Sequence, residues 1–590
     1  MTEPEMDAPA IEDHAALGDG RTVALVDRSG TVDWLPIPSL DSQPVFASLL
    51  DPGRGGRMLL HPVADFTSRR RYLPGTNVLE TTFTTDHGSV RVTDALVTGV
   101  AGRLPWLEFA RRIEGVSGTV VMDWAVEPGT VLGMSSPWAE HIDGNRILRV
   151  GTVNIGVTGL DDTEEDPSAA RFGGRIRVAE GSRRTLTVVA TQDEPLHLPV
   201  PGNVDLGIDR TVSNWELWSR TFSYDGPWAD AVQRSALALK LLLYAPTGAI
   251  AAAATTSLPE TPRGGKNWDY RFAWVRDTAY ALRALARFGL REETHASISW
   301  LLRAVKGDHA ELRILYGLRE ESSAQPQEHD VPGWRDIGPV VTGNRAATQL
   351  QLGVYGDLLS VALAYAAEGN VLDVPTRRLV SDVADRVCDV WRQPDSGMWE
   401  LTELRHHTSS KMGCWQALQS ALQLAELGQA QGNPARWRRE ADLIHAWVDE
   451  NCWSERLGAY TMVAGEDELD ASVLLHAPSG FDRGERMRST IAALRRELGR
   501  GSLLYRFTGA EAEGERPFVA CSFWLAAALA CVGDVREATE LMDDLVKRSN
   551  EVGLYAEMMD EDGSFWGNFP QGLSHLGLID AALTIADLSR

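Results

Sequence analysis

The 590-residue sequence has no apolar run long enough to cross a bilayer. Its most apolar stretch, around Leu241 to Ala254, is interrupted by Pro246, Thr247 and Gly248, whereas a membrane-spanning helix needs about 20 consecutive apolar residues. A basic leader with an apolar signal core is also missing, because the chain begins with the acidic segment MTEPEMDAPAIEDH. We therefore expect a cytoplasmic protein with no membrane partner.

Positive charge and cysteine are both scarce. Lys and Arg number 57 against 82 Asp and Glu, and the resulting formal net charge of −25 has the wrong sign for binding nucleic-acid phosphates. The five cysteines are odd in number, widely spaced and without metal-ligand spacing, which is typical of buried thiols in a reducing compartment. We expect no nucleic-acid partner and no metal site.

Segment length and periodicity divide the sequence into two parts. Up to about residue 215, Gly, Pro and Asp separate short segments rich in Val, Thr and Ile, which predicts antiparallel β-strands closed into a sandwich. Beyond about residue 225, apolar residues recur every three or four positions, which predicts about a dozen helices. We expect a multidomain β + α protein with a β domain over 1–215, a linker over 216–230 and a helical domain over 231–590.

Particular segments carry this prediction. The predicted strands include 89–93, 119–124, 147–157 and 185–189. The predicted helical windows beyond the linker include 276–305, 344–367, 435–450, 486–498, 519–532 and 534–549. Periodicity alone does not distinguish a helical toroid from another all-helical fold.

Loops between the predicted helices are rich in Trp, Arg, Asp, Glu, His and Asn. They read GGKNWDYRFAWVRD, PGWRDIGPVVTGN, DSGMWELTELRHHTSSK and GLYAEMMDEDGSFWGNFPQGLSH. Sugar hydroxyls bind carboxylate and guanidinium groups, and sugar C–H faces pack on aromatic rings, so this composition suits a sugar pocket. The tryptophans in or beside these loops are Trp268, Trp274, Trp334, Trp399 and Trp566. Each is equally well explained as a helix-packing residue.

Two glutamates are candidates for acid–base chemistry. Cleaving a glycosidic bond needs a carboxylic acid that protonates the leaving oxygen and a carboxylate that activates water or attacks directly. Glu400 follows Trp399 in a loop where an apolar setting would raise its pKa, and Glu557 lies among apolar neighbours. From spacing alone, each is more often a surface glutamate. A metal site at His406 and His407 is disfavoured because no i, i+4 partner surrounds them.

Motifs along almost the whole chain add a resemblance to a known family. The N-terminal part contains Ile11-Glu12-Asp13-His14, Leu17-Gly18-Asp19, Gly30-Thr31-Val32-Asp33-Trp34-Leu35-Pro36 and Asp41-Ser42, and APTGAIAAAATTSLPE precedes GGKNWDYRFAWVRD. In this order they resemble glycoside hydrolase family 15, the glucoamylase-like enzymes that include bacterial trehalases and isomaltose- or dextran-trimming glucosidases. The resemblance implies an N-terminal antiparallel β-sandwich followed by a catalytic (α/α)6 barrel. It also implies hydrolysis with inversion and no cofactor.

The resemblance also assigns roles to individual residues. It implies that Glu400 is the general acid and Glu557 the general base, and that Arg276 and Asp277 bind the far hydroxyls of a terminal glucose in a pocket closed at one end. The remaining residues expected to bind substrate are Trp274 and Trp399 as pocket walls, Trp334 among the loop aromatics, Lys411 beside the acid loop and His575 beside the base loop.

Two departures from the family pattern affect these expectations. Bacterial members commonly carry arginines where this chain has Gly338 and Val341, which leaves recognition of the leaving group open. A second acidic residue commonly follows the base, whereas this chain has Met558. We expect the missing charge to make Glu557 easier to ionise. We also expect the polar tract 320–330 to be a loop near the site, either a lid or a solvated connection.

Three functions remain open at this point. The leading hypothesis is an inverting exo-acting hydrolase that releases β-glucose from the non-reducing ends of short α-gluco-oligosaccharides. A trehalase is the nearest alternative, since both would share the acid, the base and the Arg-Asp pair. A catalytically silent carbohydrate-binding protein is the alternative of another class. The expected partner is a small oligosaccharide or disaccharide, and the oligomeric state is left open between a monomer and a homo-oligomer.

Overall fold

A computed structural model of the chain describes residues 8–99, 104–142, 144–163, 169–306, 312–320 and 325–589. Strands dominate its first part and helices its second, as the sequence predicts. No helix within these ranges is long and apolar enough to span a membrane.

Fourteen antiparallel strands form the N-terminal part of the described chain. They are β1 (Ala15–Gly18), β2 (Val23–Val26), β3 (Val32–Pro36), β4 (Pro44–Phe46), β5 (Gly56–Pro62), β6 (Thr67–Tyr72), β7 (Leu79–Thr85), β8 (Gly88–Leu96), β9 (Leu107–Pro128), β10 (Trp138–Ile142), β11 (Asn145–Val150), β12 (Val153–Thr158), β13 (Phe172–Ala179) and β14 (Arg183–Thr191). The four predicted strand segments all fall in this set, with 147–157 divided between β11 and β12.

The long strand β9 joins two layers of this β domain. Its second half pairs with β5 and β13, in a layer that continues through β3, β2 and β1. Its first half pairs with β8 and β14, in a layer that continues through β7 and β6 on one side and through β12, β11 and β10 on the other. The layers contact each other where the Tyr72 hydroxyl donates to the Ala16 carbonyl at 2.8 Å. The predicted antiparallel β domain is confirmed.

A buried ion pair lies between these layers. Arg111 of β9 donates through Nε and Nη2 to the two carboxylate oxygens of Asp94 on β8, both at 2.9 Å. The same Nη2 donates to the Gly30 carbonyl of the other layer at 2.7 Å. Both charged side chains are only 1–2% exposed, so the pair is held in a low-dielectric interior.

The predicted boundary at residue 215 and the linker over 216–230 are wrong in detail. Helix α1 (Pro201–Thr221) crosses the boundary and packs on β8, β9 and β14, and α2 begins at Ala229. The helix begins at Pro201, a favoured first-turn residue, and buries Val204, Ile208 and Trp215 at helical spacing. Residues 222–228 are therefore the only non-helical part of the predicted linker.

The second part of the described chain is a barrel of paired helices. After α1, the helices are α2 (Ala229–Leu242), α3 (Val275–Arg287), α4 (Arg291–Lys306), α5 (Val354–Ala367), α6 (Val374–Val390), α7 (Thr408–Glu426), α8 (Pro434–Asn451), α9 (Glu485–Leu498), α10 (Val519–Cys531), α11 (Val535–Val546) and α12 (Gly572–Leu588). Short 3-10 helices cover Ile11–Asp13, Trp334–Asp336, Arg345–Thr348 and Ala471–His476. The window 276–305 contains two helices, because Gly289 adopts a left-handed φ of 75° after α3.

Six of these elements form an inner ring and six pack outside it. Contacts run from α3 to α5, α7, the 3-10 helix Ala471–His476, α10, α12 and back to α3. The outer helices α2, α4, α6, α8, α9 and α11 alternate with them along the chain and pack on their outer faces. This is the expected (α/α)6 arrangement, in which a six-residue 3-10 helix takes one inner position.

Six two-stranded ribbons lie in the connections of the barrel. They pair β15 (Leu243–Tyr244) with β16 (Ala249–Ile250), β17 (Ala273–Trp274) with β18 (Leu315–Tyr316), β19 (Gln327–His329) with β20 (Val340–Thr342), β21 (Trp453–Ser454) with β22 (Ala459–Tyr460), β23 (Gly499–Arg500) with β24 (Leu503–Leu504), and β25 (Met558–Met559) with β26 (Phe565–Trp566).

The β domain supports the barrel loops directly. Trp34 of β3 donates through Nε1 to the Ala254 carbonyl at 3.0 Å, and its ring lies beside the Arg271 guanidinium. The Glu12 carboxylate accepts from the Phe565 amide at 3.1 Å, and the His14 carbonyl accepts from Asn550 at 2.8 Å. The N-terminal motifs of the sequence therefore hold the connections on either side of Glu557.

The ion pair between the layers generates a stability prediction. Arg111→Ala should lower the free energy of unfolding by about 3–5 kcal/mol, because it leaves the Asp94 carboxylate buried without its partner. Arg183→Ala on β14 is a matched control, since its ion pair with Glu114 is half exposed and should contribute little. Urea unfolding of both variants measures the difference, and equal losses would contradict the assigned importance of burial.

Candidate active site

A pocket opens at the N-terminal ends of the inner helices, in the loops that sequence analysis singled out. Its cavity volume is about 240 Å³, close to the lower end of the range for small-molecule sites, about 300–1,000 Å³. The predicted residues that line it are Trp274, Arg276, Asp277, Trp399, Glu400 and Glu557. Six of the nine predicted site residues therefore meet in one place, while their individual roles stay predictions.

Glu400 is held at the pocket by its side chain and its backbone. Trp274 donates through Nε1 to Glu400 Oε1 at 2.8 Å, and Gln349 donates through Nε2 to the Glu400 carbonyl at 3.0 Å. Burial raises the pKa of Glu400 above its ordinary value, although Arg276 and the Trp274 hydrogen bond oppose this shift. A carboxyl group that keeps its proton in this way suits a general acid.

The backbone of Glu400 is strained. Its φ is 61°, in the left-handed region that non-glycine residues adopt at a cost of about 1–3 kcal/mol. The Glu400 amide donates to the Gly397 carbonyl at 3.3 Å, and a β-bridge between Asp395 and Arg405 closes the loop. The surrounding contacts thus keep the acid loop in a conformation that points its carboxyl group into the pocket.

Glu557 is fully enclosed on the base side of the pocket. Only 1% of its surface is exposed, the Tyr270 hydroxyl donates to Oε1 at 2.8 Å, and the Asn568 amide donates to Oε2 at 3.4 Å. Gly567 adopts a φ of 74°, and a Cβ there would lie 2.5 Å from Glu557 Oε2. Glycine at 567 is required for this close approach.

The effect of Met558 on the ionisation of Glu557 stays a prediction, because other groups dominate the pKa of this carboxyl. Burial raises its pKa well above the ordinary value, and the nearby Glu260 carboxylate raises it further, while Arg506 and Tyr270 lower it. Met558 does remove an acidic side chain, but its own side chain is buried behind the base in β25. Glu260 brings a second carboxylate to the base from a distant part of the sequence.

One ring pair connects the two glutamates. Tyr270 and Trp274 pack edge to face with ring centroids 5.4 Å apart. The hydroxyl of the first binds Glu557, and the indole N–H of the second binds Glu400. The two carboxyl groups therefore border one pocket from different sides, as acid–base hydrolysis requires.

Arg276 and Asp277 lie side by side at the start of α3. Arg276 donates through Nε and Nη2 to Asp277 Oδ2 at 3.1 and 3.0 Å, and its Nη1 donates to the Met398 carbonyl at 3.3 Å. Asp277 is 2% exposed, and both residues line the pocket. The pair offers adjacent donors and acceptors, which is the chemistry needed to bind neighbouring sugar hydroxyls.

Trp399 forms an aromatic wall with a fixed orientation. It donates through Nε1 to Asp470 Oδ1 at 2.7 Å, and its ring contacts Phe507 and Phe518. The Arg506 guanidinium lies 5.4 Å from the ring centroid. This wall combines an apolar face with a nearby cation, as sugar-binding sites do.

A second cavity lies behind the pocket, along the axis of the inner ring. Its volume is about 500 Å³, and residues of α3, α5, α7, α10 and α12 line it. Trp274, Arg276 and Met398 line both cavities, so these three residues separate the two.

The three other predicted site residues do not line the pocket. Trp334 is buried and donates to the Pro9 carbonyl at 2.9 Å. Lys411 is buried and donates to the Trp391 and Gln393 carbonyls at 2.7 and 2.6 Å. His575 is buried beside Ser235, and its Nε2 accepts from the Tyr555 amide. These residues are close to the catalytic loops in sequence, but their side chains turn into the supporting structure.

Several pocket residues were missed from the sequence. They are Glu260, Lys266, Trp268, Tyr270, Asn344, Arg345, Gln349, Arg506 and Glu515. Most lie in segments already quoted, since Glu260 ends SLPE and Tyr270 belongs to NWDYR. Their places in these segments suggest that they belong to the site, but the residues that they contact come from remote parts of the chain.

Two minor expectations concern metal binding and the tract 320–330. Among the described residues, no group of His, Cys, Asp and Glu could hold a metal ion. Residues 321–324 of the tract lie outside the described ranges, and Gln327–His329 forms β19 against β20. Whether the tract acts as a lid stays a prediction.

Comparison with known proteins identifies the family of this chain. Residues 226–583 match the family model for glycosyl hydrolases family 15, and residues 5–139 match the model described as trehalase-like, N-terminal. A trehalase of Mycobacterium tuberculosis is 34% identical over 98% of this chain and 90% of its own length. A trehalase of Mycolicibacterium smegmatis is 33% identical over 98% of this chain and 91% of its own length.

A solved structure shares the fold over the full length. A bacterial glucoamylase complexed with acarbose superposes with a TM-score of 0.72 at 14% identity, covering 100% of this chain and 97% of that one. Because the family model spans most of the helical part and the relatives span nearly the whole chain, this protein belongs to glycoside hydrolase family 15 and is a glycosidase.

Proposed function

We propose that the enzyme hydrolyses α,α-trehalose to two glucose molecules, which was the second hypothesis from the sequence. The observation that carries this proposal is the similarity, over nearly the full length, to relatives named trehalase. The likeness to bacterial glucoamylase shows the fold alone at its low identity. Short α-gluco-oligosaccharides, the leading hypothesis from the sequence, therefore become the competing substrate in the test.

The acid–base groups support an inverting, single-displacement reaction. Glu400 protonates the oxygen that links the two sugars as its bond to the anomeric carbon breaks. Glu557 takes a proton from a water molecule, whose oxygen bonds to that carbon from the opposite face. Glu400 ends ionised and Glu557 protonated, and exchange with solvent restores both. Burial raises the pKa of both glutamates, which favours the protonated form that Glu400 needs, while the Tyr270 hydrogen bond and Arg506 oppose this shift at Glu557.

The pocket mouth offers groups for the leaving glucose. Trp268 and Arg345 line the pocket together, with the guanidinium 4.4 Å from the indole ring centroid. Arg345 belongs to the connection in which Gly338 and Val341 replace the arginines of other bacterial members. We infer that Arg345 binds hydroxyls of the leaving sugar while Trp268 packs on its C–H face.

The two glutamates generate the first activity prediction. Glu400→Gln and Glu557→Gln should each lower kcat by about 10²–10⁴-fold, the usual contribution of a positioned acid or base. Glu403→Gln and Glu561→Gln are matched controls, because both glutamates are exposed in the same two loops and are absent from the pocket lining. Initial rates of glucose release measure the effect. Normal rates in either pocket variant would remove that glutamate from the mechanism.

A substrate panel separates trehalase from the competing activity. Trehalose, maltose, isomaltose, kojibiose and nigerose are compared by kcat/KM. We expect trehalose to exceed each of the others by at least about 10-fold, because a site built around buried polar groups discriminates strongly against a sugar that leaves them unpaired. A maximum at isomaltose or maltose would favour the oligosaccharide hydrolase, and no activity on any of the five would remove both.

The anomers released from trehalose test inversion. The sugar attacked by water should leave as β-glucose, and the leaving sugar keeps its own α configuration. Proton NMR in the first minutes should therefore show α- and β-glucose in equal amounts, before mutarotation mixes them. A retaining mechanism would give only α-glucose at first, and that result would exclude the proposed displacement.

A further inference from the structure

The Tyr270 hydroxyl lies between two buried carboxyl groups. Its oxygen is 2.8 Å from Glu557 Oε1 and 3.3 Å from Glu260 Oε1. A tyrosine hydroxyl carries a single hydrogen, so it can donate to only one of two carboxylates at a time. Burial raises the pKa of Tyr270 well above its ordinary value, and the neighbouring carboxylates raise it further, so the hydroxyl keeps this hydrogen.

Glu260 cannot turn away from this contact. It is 1% exposed, and its Oε2 accepts from Arg506 Nη2 at 2.9 Å. Arg506 is itself fixed by Glu515, whose Oε2 accepts from Arg506 Nε at 2.9 Å. Lys266 binds Glu515 from the other side. With Oε2 fixed by the guanidinium, Oε1 of Glu260 is left facing Tyr270.

We propose that Glu260 is a positioning residue for the general base, which it controls by competing with Glu557 for the hydrogen of the Tyr270 hydroxyl. The proposal rests on the acid–base part of the proposed function and is independent of which α-glucoside is cleaved. When both glutamates are ionised, one carboxylate faces the lone pairs of the tyrosine oxygen without a hydrogen bond. A proton taken up by Glu557 removes this conflict, so Glu260 makes Glu557 a stronger base.

The other charges around the two glutamates are accounted for. Arg506 and the Asn568 amide face Glu557 besides Tyr270 and Glu260, and both favour its ionised form. Arg506 and Lys266 favour the ionised form of Glu260, while Glu515 opposes it. Burial is the largest cause of the raised pKa of Glu557, and the Glu260 carboxylate raises this pKa further.

Replacing Glu260 by Gln tests the competition without emptying the position. In Glu260→Gln, the amide oxygen can still accept from Arg506, and the amide N–H can donate to the tyrosine oxygen. Tyr270 is then free to donate fully to Glu557. Because Tyr270 then donates its hydrogen to the ionised Glu557 without competition, the acid limb of the kcat/KM profile should move to lower pH by about one unit. The plateau kcat should fall severalfold, since the base is weaker.

The substrate for this test is α-glucosyl fluoride. Fluoride leaves with little help from an acid, and it does not need the subsite that binds a leaving sugar. The profile therefore reports mainly on Glu557. A failure of trehalose as substrate would leave this measurement intact. KM should change by less than about twofold, because a residue that acts through the base alters the chemical step more than it alters sugar binding.

Glu515→Gln is the matched control. It also removes one carboxylate from Arg506, but Glu515 makes no hydrogen bond to Tyr270. Its acid limb should stay within about 0.3 pH units of the wild type, because Glu515 does not compete for the Tyr270 hydrogen. An equal shift in both variants would show that loss of charge near Arg506 is sufficient, and would overturn the role of Tyr270.

A second pair of variants tests the route through the tyrosine. In a Tyr270→Phe background, Glu260→Gln should shift the acid limb by less than half as much as in the wild type, since there is no hydrogen to compete for. A full shift in that background would overturn the proposal, as would an unchanged profile in Glu260→Gln alone.

Thermal unfolding of each variant checks folding. If Glu260→Gln does not fold, Glu260→Asp carries the same test, because the shorter side chain keeps the charge and withdraws from Tyr270.

The outcomes for the two proposals are distinguishable. A wild-type enzyme that cleaves α-glucosyl fluoride but not trehalose contradicts the trehalase proposal alone. An unshifted Glu260→Gln profile in an enzyme active on trehalose contradicts the positioning role alone. Inactivity of the wild type on both substrates would overturn the acid–base assignment, and the role of Glu260 with it.

Discussion

The catalytic pocket depends on the edge-to-face contact between Tyr270 and Trp274. These rings are four residues apart in one loop, and each uses its polar atom to hold one of the two glutamates. The spacing of the acid and base is therefore set by a rigid aromatic pair and not by two independent flexible side chains. Aromatic side chains lose little conformational entropy when they are ordered, so holding the two carboxyl groups in this way costs little free energy.

The β domain completes this support from outside the barrel. The loop that carries the ring pair also carries Asp269 and Arg271, a buried ion pair whose Arg271 Nη1 donates to the Ser42 carbonyl of the β domain. Asp269 in turn accepts from the Gly343 amide at 3.1 Å. The same loop is thereby tied to the β domain and to the connection that precedes α5. The described part of the β domain thus supports the pocket through this loop, although it supplies no residue to the pocket lining.

Much of the fold was predictable, because local pattern and tertiary structure agree in most elements. Val90 and Val92 alternate in the sequence and are buried in β8, and the outer helices show the apolar stripe of their buried faces. Helix α12 is an inner helix, apolar on nearly every side, so its sequence shows little of the periodicity that marks the outer helices. The β interpretation is wrong for helix α1, because its Gly and Asp residues resemble the turn residues that separate strands.

The site was predictable only as far as the family motifs extend. Glu400, Glu557 and the Arg276-Asp277 pair meet in the pocket, whereas Lys411 and His575 were included for closeness in sequence alone and serve as internal supports. The carboxylate beside Tyr270 and Glu557 belongs to Glu260, and its contacts with Arg506 and Tyr270 join segments that no local pattern connects.

The left-handed backbone at Glu400 has an evolutionary consequence. Glycine at this position would adopt the same φ without strain, so losing the acid would also relieve the loop. At position 400, selection for a more stable fold would therefore favour glycine, whereas selection for turnover would favour glutamate.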